Sequence, residues 1–171
     1  MESTSLPNDA TARAVVRHLV ATLAYRAAKV LRDVEPGFAR TSFGDATRTP
    51  VSIVAHLGDL IAWAISVTHG AYEWRPEGTS DWNAEVARFF DNLAKLDLEL
   101  ASNVADGSIE KLIQGPLADA LTHVGQLAML RGMAGAPVRP ESYARAQIVA
   151  GRVGIDQLPP GREFDGDASA R

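Results

Sequence analysis

Apolar residues recur at helical spacing along almost the whole chain, and no segment shows sustained two-residue alternation rich in β-branched residues. That pattern disfavours a sheet and directs the chain towards an all-α fold. In the first segment Ala12, Val15, Val16, Leu19, Leu23, Ala27, Val30 and Leu31 form one stripe over about five turns. Asn8 or Asp9 is placed to cap its start, and Pro36-Gly37 closes the pattern. A second helix is announced by Thr49-Pro50, with a stripe of Ile53, Val54, Leu57, Ile61, Ala64 and Ile65, and Gly70 as its stop. The third begins near Thr79-Ser80-Asp81; its Val86, Phe89, Leu93, Leu96 and Leu100 alternate by three and four until Asp106-Gly107. A fourth is expected from Gly115-Pro116 through Leu117, Leu121, Val124, Leu127, Ala128 and Met129 to about Gly132 or Gly135.

Four amphipathic helices joined by connections this long predict a four-helix bundle with at least one crossover. The stretch from Ala136 to Pro140 leads into an expected short helix, Glu141 to about Ala150, followed by an extended tail. The expected organisation is one bundle domain over residues 1–150 and a partly flexible tail over 151–171, with disorder beyond about Pro159.

The chain's 171 residues suffice for one domain with a real core, and 46% of them are apolar. Its net charge of −4 argues against a nucleic-acid surface. Arg13, Arg17, Arg26, Lys29 and Arg32 are interleaved with the first apolar stripe, so they read as a solvated helix face. No run is expected to supply the roughly 20 apolar residues of a membrane span. Met1 to Ala10 lacks the basic and apolar regions of a signal peptide. Cysteine is absent, which removes disulfides, a thiolate nucleophile and Cys-type zinc sites. Cytoplasmic localisation is the resulting expectation. The abundance of Arg over Lys, and of Ala, hints at a GC-rich bacterial genome.

Of the four histidines, placement separates one pair from the rest. Asp119 and His123 are four apart, roughly 40° around the helix axis from each other, so both can reach one ion. The same spacing also suits a simple Asp–His hydrogen bond on a helix surface. His56 lies on the inward side of the second helix, among Ile53, Val54, Leu57 and Leu60, where a hydrogen-bonded core histidine is the commoner outcome. His69 is roughly 220° around that helix from His56 and suits the helix C-terminus; His18 has no partner one turn away.

The run Ser52-Ile53-Val54-Ala55-His56-Leu57-Gly58-Asp59-Leu60-Ile61-Ala62-Trp63 resembles the second helix of the DinB-like metal-binding superfamily. Ala118-Asp119-Ala120-Leu121-Thr122-His123-Val124-Gly125-Gln126-Leu127, with Leu130-Arg131 and Gly135, resembles its fourth. The resemblance spans roughly residues 9–135 and implies one divalent metal, zinc or nickel, on His56, Asp119 and His123. The family's usual histidine at the first position of the last-helix pair is replaced here by Asp119, as a Glu stands there in the related mycothiol-dependent maleylpyruvate isomerases. Gln126 and Asp59 become candidates to orient ligands, Asp59 also to offer an extra carboxylate, and Arg131 to hold an anionic substrate; a helix–helix hydrogen bond, a solvated charge and a salt bridge are their ordinary alternatives. Trp63, Trp74, Trp82 and Phe43 are candidates for a pocket mouth, with Trp63 and Trp82 expected in the core.

Three protein ligands leave an open coordination position, as catalytic sites do. The resemblance therefore implies a metal- and thiol-dependent transferase or isomerase, using mycothiol or another low-molecular-weight thiol on a small electrophile. Metal-dependent hydrolysis, and a non-catalytic stress-related binding protein with a vestigial site, are the alternatives. The partners implied are a small molecule or thiol and a second copy of the chain, with no nucleic acid and no membrane.

Overall fold

The computed structural model describes residues 6–105 and 108–164. Four long helices dominate it: α1 (Ala10–Leu31), α2 (Pro50–Thr68), α3 (Trp82–Ala101) and, after the five-residue α4 (Ser108–Leu112), α5 (Ala118–Met133). Among the described residues there is no strand, only an isolated antiparallel bridge between Glu141 and Glu163.

The helix starts follow the local chemistry. Asp9 caps α1 by accepting from the Ala12 N–H at 2.8 Å, and Asp81 caps α3 by accepting from the Ala84 N–H at 3.0 Å. Pro50 opens α2, where its missing N–H costs nothing. Gly70 and Gly135 take positive φ just past the ends of α2 and α5, conformations that relieve the last carbonyls.

Around the core, α1 packs on α3 and α5, and α2 packs on the same two helices from the opposite side. The order is therefore α1–α3–α2–α5, and the connections α1–α2 and α3–α5 both cross between diagonal positions. This arrangement is compatible with a helical bundle. Its interior is filled by Leu23, Leu57, Ile61, Phe89, Leu93, Leu96, Leu117 and Leu127, each contributing about 2 kcal/mol by burial. The third apolar stripe is buried throughout, whereas Val15 of the first and Met129 of the fourth face solvent. α1 presents a broader inward arc than expected, centred on Val16, Val20, Leu23, Ala24 and Ala27.

Several sequence expectations need correction. α3 ends at Ala101, short of Asp106-Gly107, which lies outside the described residues. The fourth helical run begins at Ser108 rather than Gly115, because Ile109 and Leu112 are buried against the core and hold a turn that is too short to stand alone. Pro116 cannot donate to the helical ladder, and the chain passes it by a π turn over Ile113–Leu117, with Gly115 at φ −98°, ψ −106°. α2 is long and apolar enough to cross a membrane by length and composition alone, contrary to the expectation that no run would be. Here it is the core helix, 67% buried inside the protein.

The helix expected from Glu141 to about Ala150 is absent; only one 3-10 turn forms, at Tyr143–Arg145. Long-range bonds take this segment instead. Glu141 accepts from the Tyr25 hydroxyl at 2.6 Å and from Lys29 at 2.8 Å, and Lys29 also bonds Glu163 at 2.6 Å. The backbones join too, Ser142 N–H to Arg162 O and Phe164 N–H to Pro140 O. Lys29 is thus not part of a solvated face: its side chain is only 10% exposed. Arg17 makes a two-pronged bond to Asp97 on α3, at 2.9 and 2.8 Å. Glu163, and Val153 packed into the core, fix chain that the tail reading covers; residues 165–171 lie outside the described ones.

Candidate metal centre

His56 on α2 and Asp119 and His123 on α5 meet where these two helices pack. Each offers one ligand atom, and the three atoms lie within 4.8 Å of one another. Both histidines present Nε2 to the same carboxylate: His56 Nε2 is 3.6 Å from Asp119 Oδ2, and His123 Nε2 is 3.5 Å from Asp119 Oδ1. The imidazole rings are perpendicular, at 89°, with centroids 4.7 Å apart.

Those separations are informative. A charged His–carboxylate hydrogen bond closes to about 2.8 Å. Ligands about 2.1 Å from a tetrahedral zinc stand about 3.4 Å from one another. The observed N···O distances are too long for the first and close to the second. The donor set, two imidazole nitrogens and one carboxylate, could hold a metal ion.

Local structure fixes each donor. His123 Nδ1 lies 2.7 Å from Gln126 Oε1, one turn on. With the amide oxygen as acceptor, Nδ1 carries the proton and the Nε2 lone pair faces the carboxylate. His56 is braced by the Trp74 ring at 5.6 Å, and Trp74 in turn meets Trp63 at 6.0 Å. Burial, then electrostatic opposition from His123 and Arg48, push the His56 imidazole below its ordinary value of 6.5, with Asp119 opposing. At neutral pH His56 is therefore the neutral species a metal requires. Its side chain is 20% exposed and that of His123 12%, whereas Asp119 at 47% forms the solvent side.

The strap that carries Trp74 runs from the end of α2 to the start of α3, and polar bonds hold it. Asp59 accepts from the Glu77 N–H at 3.0 Å and from Arg88 at 2.9 Å; Glu85 accepts from the Thr79 N–H at 2.6 Å and from Arg88 at 2.7 Å. Arg88 also reaches the Ala55 carbonyl at 2.7 Å. Gly58 leaves room beneath it: a Cβ there would stand 2.6 Å from the guanidinium carbon, so Arg88 would have to shift from these partners.

Of the other sequence candidates, Gln126 lies beside the trio, while Asp59 and Arg131 do not join it. Asp59 is neither an extra ligand nor a solvated charge: it is buried and paired with Arg88. Arg131 donates to the carbonyls of Val30, Arg32, Asp33 and Ala136, which closes the C-terminal end of α1. Trp63 and Trp82 pack partly buried against the core, and Phe43 meets Phe38 edge-on at 6.2 Å. His69 is exposed, 3.1 Å from Glu99, and His18 is exposed on α1. Sequence reading passed over two arginines. Arg88 was visible only as an i, i+3 partner of Glu85, and Arg48, just before the Thr49-Pro50 signal, belongs to no helical stripe.

No family model matches the chain, and no curated protein or solved structure matches it.

Proposed function

We propose that this chain is a DinB-like protein that binds one divalent metal through His56, Asp119 and His123, and acts as a thiol-dependent transferase or isomerase on a small electrophile. The observation that carries the metal reading is the convergence of three donor atoms from two helices within 4.8 Å. Their Nε2–carboxylate spacings match ligands around a shared ion better than they match hydrogen bonds.

The chemistry a divalent ion supplies at such a site is acidification of a small thiol or water at the open coordination position. The protein's own residues do the rest. Gln126 holds the His123 tautomer, Trp74 shields one face of His56, and the exposed side of Asp119 leaves room for a reactant. The chain contains no cysteine, so a sulfur nucleophile must arrive as a separate molecule.

The test is conjugation of 1-chloro-2,4-dinitrobenzene by the zinc-loaded protein with mycothiol, bacillithiol, glutathione or no thiol. Turnover that needs both zinc and one of the thiols is expected. Equal turnover without any thiol would replace this reading with metal-dependent hydrolysis, and no turnover in any arm would leave a binding protein.

A further inference from the structure

A cavity of about 350 Å³ adjoins the trio at His123 and is walled by Arg48 from the α1–α2 connection, Ile53 of α2, and His123, Gln126, Met129 and Leu130 of α5. We infer that this cavity binds a small monocarboxylic acid with an apolar chain, its carboxylate on Arg48 and its chain along Ile53, Met129 and Leu130.

Three observations lead there. The cavity shares His123, and the Gln126 that bonds it, with the candidate metal centre, so a molecule filling it touches one of the three donor residues. Its size is at the low end of small-molecule sites and suits a compact metabolite. Its charge is one-sided. Arg48 is the charged side chain in the wall apart from the titratable His123, and no carboxylate lines it. Arg48 makes no ion pair or hydrogen bond with any described residue, unlike Arg17, Arg88 and Arg131, which are committed to Asp97, to Asp59 with Glu85, and to backbone carbonyls. A guanidinium offers two parallel donors to a carboxylate, a match that a neutral amide lacks. Ile53, Met129 and Leu130 add apolar lining that a bare inorganic anion cannot use.

This inference rests on the proposed metal reading only where it makes the acid the metal's neighbour, and the experiment separates the two. Hexanoate, hexanamide and inorganic phosphate are titrated into the full chain, metal-free and zinc-loaded, with backbone and side-chain amide NMR as the readout. The variants are Arg48→Gln, Arg48→Lys and His56→Ala. Arg48 is exposed and unbonded, so its substitution leaves the fold intact. Saturable shifts at Gln126, Ile53 and Leu130 with hexanoate are expected, weakened about tenfold by Arg48→Gln and partly restored in Arg48→Lys. Hexanamide is expected to bind wild type no better than hexanoate binds Arg48→Gln. Arg48→Gln should keep the zinc stoichiometry of wild type. Hexanoate binding that ignores Arg48→Gln, equal binding of hexanamide, or phosphate binding as tightly as hexanoate would each overturn the inference. Arg48-dependent hexanoate binding in a protein that takes up no zinc would sink the metal reading and leave this one standing.

Discussion

At the scale of single residues, Gln126 decides how ready the site is for a metal. With its amide oxygen, 2.7 Å from His123 Nδ1, accepting the ring proton, the Nε2 lone pair is turned towards Asp119. Gln126→Leu removes that acceptor without changing a ligand. Zinc affinity is expected to fall by about 10- to 100-fold, measured by competition with a chromophoric chelator. An unchanged affinity would mean that the ring is held by packing alone. The Asp119–His123 pair was legible in sequence because both residues share one helix and one phase. His56 was legible only as a position on an inward face. Nothing in the spacing could bring α2 against α5, which depends on a diagonal crossing of the chain; the resemblance supplied that link. Asp59 was misjudged because its partner, Arg88, comes from another helix 29 residues away. Arg48 left no mark because a loop cation has no periodic register.

At the scale of elements, the strap between α2 and α3 and the clasp on α1 are held by buried charge. Burial works against ionised Glu85, but the Thr79 N–H and Arg88 outweigh it and hold the carboxyl below its ordinary value of 4.5. Because the folded value is depressed, this contribution to stability is fully present above pH 4.5 and is lost as pH falls through the lowered value. Urea unfolding across pH 3 to 6 should therefore show a shallower acid slope for Glu85→Gln than for wild type, with lower stability at neutral pH. Identical slopes would remove Glu85 from the account. On the other side, Glu141→Ala leaves Lys29 with Glu163 alone in a side-chain environment only 10% exposed. Its expected cost is about 2–3 kcal/mol by urea midpoint, less than full loss of a buried partner. A cost under about 0.5 kcal/mol would mark the clasp as a surface pair. These contacts also explain why a helix was wrongly expected from Glu141: local composition suited one, but the side chain and backbone there are bonded across more than a hundred residues to α1 and across about twenty to Glu163.

At the scale of the whole molecule, the all-helical content and four long helices follow from the apolar periodicity, and the caps at Asp9 and Asp81 and the proline start of α2 follow from local chemistry. The ring order α1–α3–α2–α5 does not, because it is settled by which faces fit together. That order is what sets His56 opposite Asp119 and His123 and brings three separate positions together. The direct measurement is the metal content of purified wild type beside His56→Ala, Asp119→Ala and His123→Ala, each reconstituted with zinc and dialysed, with circular dichroism as the check on folding. About one equivalent in wild type and a marked loss in all three folded variants is the expected result. Equal stoichiometric zinc in all four proteins, or none in wild type, would contradict it.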